Sequence, residues 1–82
     1  MHDIATFFIR QVDSSAEPAA LVAAWLVAEL GDSRHVDVRL TEPDLVTLDV
    51  TSAHGVRALI ESLLSETRFA GWAQTTSAIR PP

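Results

Sequence analysis

Two stretches of the chain alternate apolar and polar residues, and a third repeats apolar residues at helical spacing. From Arg34 to Leu40, Val36, Val38 and Leu40 share one side and His35, Asp37 and Arg39 the other. From Leu45 to Thr51, Val46, Leu48 and Val50 oppose Thr47, Asp49 and Thr51. A period of two marks half-buried strands. Thr41-Glu42-Pro43-Asp44 between them is turn chemistry, so strands over 34–40 and 45–51 form an antiparallel hairpin with one dry and one polar face. Val56, Leu59, Ile60, Leu63 and Leu64 then fall at i, i+3, i+4, i+7 and i+8. That spacing predicts an amphipathic helix over 53–66, with Ser52 as its N-cap. Arg57, Glu61 and Ser65 lie off its apolar stripe, on a flank expected to be exposed and idle.

The flanking segments complete the order. Residues 4–12 carry Ile4, Phe7, Phe8 and Ile9 and read as a strand apolar on both faces. Asp13-Ser14-Ser15 is a turn cluster, and Ser14 with Glu17 has the spacing of a capping box, so a helix is predicted over 16–30. Gly31 ends it. No charge occurs between Ala19 and Ala28, unlike an ordinary surface helix. In so short a chain such a helix calls for a partner subunit, which makes Leu21 and Trp25, with Phe7 on the first strand, candidate interface residues. Gly71 turns the chain into a last strand over 72–79. The order β-α-β-β-α-β predicts a single α+β domain over 1–82, a ferredoxin-like plait with a four-stranded antiparallel sheet and two helices on one face.

Composition narrows the chemistry. The 82 residues leave a thin core, and with no cysteine neither disulfides nor thiolates support it. Association with a second copy is the expected support. The net charge is −5. All basic residues are arginines, scattered singly at 10, 34, 39, 57, 68 and 80. Phosphate backbones and anionic membranes are met by clustered cations, so neither is an expected partner. The longest apolar run is about half the ~20 residues that span a bilayer. No basic region precedes an apolar stretch at the N-terminus, so the expected location is cytoplasmic. The histidines are widely separated, without metal-ligand spacing, and neither a metal nor a cofactor is expected. His2 and Asp3 read as a frayed terminus. Ser52, His54 and Asp49 are close in sequence, but Ser52 reads as a cap and nothing suggests a nucleophile turn.

The second half carries a family likeness. Leu40-Thr41-Glu42-Pro43-Asp44-Leu45-Val46 leads into Leu48-Asp49-Val50, then Val56-Arg57-Ala58-Leu59-Ile60, then Gly71-Trp72 and Thr75-Thr76-Ser77-Ala78-Ile79. Residues 34 to 80 resemble the effector-binding C-terminal domain, or RAM domain, of the Lrp/AsnC family of bacterial regulators. The first strand and helix match by pattern. The resemblance implies a plait that pairs through its sheets, as a dimer or a ring of dimers in the dimeric α/β-barrel manner. It also implies a small effector such as an amino acid at subunit interfaces. The family's DNA-reading helices have no counterpart before the first strand, so a stand-alone version is expected. The family carries a glycine shortly before the turn aspartate; here Glu42 and Pro43 fill that stretch. Proline offers no amide hydrogen and glutamate repels a carboxylate, so the family's way of holding an amino acid is not carried over.

His35, Asp37, Arg39, Thr47 and Asp49 should share the polar side of the hairpin, with Asp44 at its turn. One cation among carboxylates there could orient a polar ligand, or form ion pairs across an interface. The expected function is a non-enzymatic module for small-molecule sensing or oligomerisation. The competing reading is a cofactor-free monooxygenase, cyclase or isomerase of the same strand order, which needs an apolar pocket between sheet and helices. The scattered arginines and negative charge predict no retardation of duplex DNA at physiological salt in a gel-shift assay; a shifted band at micromolar protein would overturn that reading.

Overall fold

The computed structural model describes residues 4–31, 34–51 and 54–75. Strand β1 (Ile4–Gln11) leads to helix α1 (Ala19–Leu30), the hairpin β2 (Val36–Glu42) and β3 (Leu45–Thr51), helix α2 (Val56–Leu64), a 3-10 turn (Thr67–Phe69) and strand β4 (Trp72–Thr75). The four strands form one sheet in the order β2-β3-β1-β4, each pair antiparallel. This is the ferredoxin-like α+β arrangement expected from the pattern.

Strand parity divides the sheet. Phe7 and Ile9 of β1, Val46, Leu48 and Val50 of β3, and Trp72 of β4 are buried in one cluster with Ala19, Val22, Ala23, Leu26 and Leu30 of α1. Val56, Ile60 and Leu63 of α2 complete it. The α1 positions recur at helical spacing, so that stripe faces the sheet and Leu21 is left 38% exposed on the outside. Phe7, expected at an interface, is therefore a core residue, and its neighbour Phe8 takes the other face. Phe69 is fully buried. The 3-10 turn after α2 carries its ring into the core, where Trp25 meets it edge-on at 5.6 Å and 81°.

Several boundaries depart from the sequence pattern for local reasons. Helix α1 begins at Ala19, behind Pro18 at the cap position with ψ 152. A residue before proline is pushed out of the helical region, so Glu17 stays outside the helix and the capping box does not form. Asp13 Oδ1 accepts instead from the Ser15 amide at 3.0 Å and the Ser15 hydroxyl at 2.9 Å. Strand β2 runs on to Glu42, with the pairing slipping by one residue between Arg39 and Glu42. That bulge leaves Leu40 47% exposed, so it does not join Val36 and Val38 on the dry face. Helix α2 follows Gly55 in the left-handed conformation, φ 77. The predicted cap Ser52 and residues 76–79 of the predicted last strand lie outside the described residues. Arg57 is not idle: its guanidinium lies 5.5 Å from the Phe7 ring and donates to Gln74 Oε1 at 3.4 Å, tying α2 to β4.

Gly71 opens β4 with φ 90, and a Cβ there would lie 2.5 Å from the Ala16 Cβ. Gly55 also has positive φ, but a Cβ there meets nothing within 4 Å. Gly71→Ala should cost more than the ~1–3 kcal/mol of left-handed strain, and Gly55→Ala no more than that strain. Thermal melting of the two variants reads the difference, and equal shifts would refute the close packing at Gly71.

Candidate functional site

The face of the sheet turned away from the helices gathers the predicted hairpin residues. Antiparallel pairing sets Asp37 opposite Asp49 and Arg39 opposite Thr47, with Thr6 and Phe8 of β1 beyond them. Two carboxylates directly opposite on neighbouring strands repel. Each is given a partner. Arg39 Nη2 approaches Asp49 Oδ2 at 3.0 Å, and the Thr6 hydroxyl donates to Asp49 Oδ1 at 2.6 Å. His35 Nε2 lies 3.1 Å from Asp37 Oδ1 on the same strand. His35, Asp37, Arg39, Thr47 and Asp49 thus occupy one patch.

A second ionic group closes the hairpin end of this face. Arg10 Nη1 lies 3.3 Å from Asp44 Oδ2 and 3.5 Å from Glu42 Oε2. The β2 bulge makes this contact possible. Without the extra residue, Glu42 would have the parity of Val36 and Val38 and point toward the helices. Between the two ionic groups run Leu45 and Thr47, only 2% and 5% exposed. Their cross-strand neighbours Arg10, Phe8 and Arg39 are long enough to fold over them. Leu45 is buried yet stands apart from the helix-side core. At the far end Ile4 is 60% exposed.

Next to Asp44, an open concavity of about 500 Å3 is lined by Gln11, Val12, Asp13, Ser14 and Asp44. The Gln11 amide donates to the Asp44 carbonyl at 2.8 Å and the Val12 amide to the Gly71 carbonyl at 2.7 Å, which fixes its floor. The Ser15 amide, then the Ser15 hydroxyl, hold the Asp13 carboxyl below the usual aspartate range, so it faces the concavity as a carboxylate near neutrality.

Trp25 and Leu21, the other predicted interface residues, lie on α1. Trp25 is half-buried, with the Arg68 guanidinium 5.6 Å from its ring and 4.9 Å from that of Phe69. Arg68 also bonds Glu66 at 2.9 Å and Glu29 at 3.3 Å. Burial works to lower its pKa, but these two carboxylates raise it on balance. Trp72 is a core residue whose indole donates to the Glu17 carbonyl at 2.8 Å. Among the described residues no three histidine or carboxylate side chains converge as metal ligands, and no helix is long and apolar enough to cross a membrane.

Sequence reasoning did not single out Thr6, Phe8, Arg10, Glu42 and Leu45 on the sheet face, nor Gln11, Asp13 and Ser14 at the concavity. The even parity of Thr6, Phe8 and Arg10 could have found three of them. Glu42 depends on the bulge, which leaves no mark in the alternation. No protein-family model, characterised protein or solved structure matches the chain.

The Arg39–Asp49 pair is partly solvated, its side chains 57% and 28% exposed. A double-mutant cycle of Arg39→Ala and Asp49→Ala, read by denaturant unfolding at high dilution, should give a coupling of about 0.2–1 kcal/mol. A coupling above ~2 kcal/mol would mean that the pair is desolvated even at that dilution.

Proposed function

We propose that the chain is a non-enzymatic assembly and small-molecule-sensing module, as the resemblance to Lrp/AsnC effector domains implies. The open sheet face is its self-association surface and the neighbouring concavity its ligand site. The observation that carries this reading is the make-up of the open face. Phe8, half-buried beside the buried Leu45 and Thr47, is the apolar side chain this face presents, and Arg39 with Asp49 and Arg10 with Glu42 and Asp44 flank it as ion pairs. An apolar centre within a polar rim is the anatomy of a protein interface. Arg39 keeps donors beyond the one that meets Asp49, and Asp37 has only an exposed histidine beside it. Across a two-fold axis, Arg39 of one copy suits Asp37 of the other.

The filled helix side favours this reading over a small enzyme. Ile9, Val22, Leu26, Leu48, Val50 and Ile60 have no exposed surface, whereas the enzyme reading requires an apolar pocket in that layer. The concavity offers two carboxylates, a hydroxyl and an amide beside Arg10, groups suited to a small polar molecule bearing an ammonium group.

Light scattering of the whole chain at micromolar concentration should give a mass above the monomer. Arg39→Ala should lower that mass or weaken association by roughly tenfold, since it strands a partner carboxylate. Glu61→Ala, exposed on α2, should leave it unchanged. A monomeric wild-type chain, or equal behaviour of the two variants, would refute assembly through this face.

A further inference from the structure

Strand β2 is an edge of the sheet, and among the described residues it pairs with β3 alone. The Thr51 amide donates to the His35 carbonyl at 3.0 Å. Antiparallel ladders alternate, so His35, Asp37 and Arg39 turn their backbone groups toward β3, and Val36 and Val38 turn theirs outward. An edge of this kind is a template for another strand unless proline, lysine or a bulge blocks it. The bulge of β2 comes only after Arg39, and the straight part, Val36-Asp37-Val38-Arg39, holds neither proline nor lysine. Val36 and Val38 are only half-buried there, and Leu40 is 47% exposed beside them.

We propose that β2 pairs antiparallel with β2 of a second copy about a two-fold axis at Val38, joining the two four-stranded sheets edge to edge. The strand's own charges point to this occupant. With Val38 opposite Val38, Asp37 of each copy faces Arg39 of the other, and Val36 faces Leu40. Asp37 and Arg39 then form non-hydrogen-bonded pairs, the positions where opposed side chains come closest. The outward groups of the two Val38 residues bond each other. Moving the axis to Asp37 would set two carboxylates against each other, so charge selects the first register. Helix α1 fits the same axis. It packs over β2 and β3. Trp25 and Glu29 turn to Phe69 and Arg68, which leaves Ala20, Ala24 and Val27, all exposed and uncharged, on the opposite flank. Neighbouring strands lie about 4.8 Å apart, so the two α1 helices would run about 10 Å apart across the axis, at the distance of packed helices. The edge contact does not rest on the face-to-face association, because it forms with the open faces unoccupied.

The experiment follows amide hydrogen exchange of the full chain, residue by residue, at low and high protein concentration. The Val36 and Val38 amides should exchange roughly tenfold more slowly in the concentrated sample, while those of Asp37 and Arg39, already turned to β3, stay slow in both. Val38→Pro removes an outward amide without breaking a bond to β3, and should weaken association by roughly tenfold in sedimentation equilibrium. Should that variant fail to fold, the exchange of the natural chain decides alone. Val36 and Val38 amides that stay fast in a chain whose mass is that of a dimer overturn the edge contact and leave the face-to-face reading standing, as does a folded Val38→Pro chain that associates unchanged. A chain monomeric at every concentration overturns both.

Discussion

The pairing of β1 with β3 is the constraint on which the rest of this structure depends. Its register sets Phe7 beside Leu48 and Ile9 beside Val46, which puts the apolar parity of both central strands under the two helices. The opposite parity then has no freedom: Thr6 must meet Asp49, Phe8 must meet Thr47, and Arg10 must meet Leu45. A slip of one residue would turn Phe7 and Ile9 outward and bring Arg10 into the core, so the register is strongly enforced. The open face is thus assembled as a consequence of burying the other one.

Electrostatics on that face follow from the same geometry. The hairpin register sets Asp37 against Asp49, an arrangement that costs stability unless cations intervene. Thr6, directly opposite Asp49 on β1, and Arg39, two residues beyond Asp37 on β2, satisfy Asp49, while Asp37 is left to His35. Because the Arg39–Asp49 pair is partly solvated in the isolated chain, it adds little to its stability; its energetic weight would appear only on desolvation by a second surface.

How much of this was legible depends on whether the information was local. The alternation in 34–40 and 45–51 and the spacing of Val56 to Leu64 placed three elements and, apart from the exposed Leu40 and Leu59, their inward faces. It also placed His35, Asp37, Arg39, Thr47 and Asp49 together, because strand parity is a property of the sequence alone. Arg10 was not legible, because its partners Glu42 and Asp44 are brought to it by long-range pairing and a bulge. Phe69 was missed because it follows the periodic stretch, on a 3-10 turn that only tertiary packing defines. Phe7 was misplaced because two adjacent phenylalanines do not say which one faces inward; the register of β1 against β3 decides it.

Arg10 joins the two parts of the proposed site. Its guanidinium lies between Glu42 on the sheet face and Asp44 at the rim of the concavity, with its side chain 13% exposed. A cationic ligand that occupied Asp44 would release Arg10 toward Glu42 and change the ionic rim of the sheet face. A ligand presenting a carboxylate to Arg10 would instead draw it away from Glu42. Ligands of opposite charge would act on the proposed assembly with opposite signs through one side chain. Such coupling needs no movement of the backbone, because the hydrogen bonds from Gln11 to Asp44 and from Val12 to Gly71 hold the floor of the concavity in place. Any free energy linking ligand to assembly through Arg10 must be reciprocal, so a second copy on the sheet face would alter ligand affinity by the same factor.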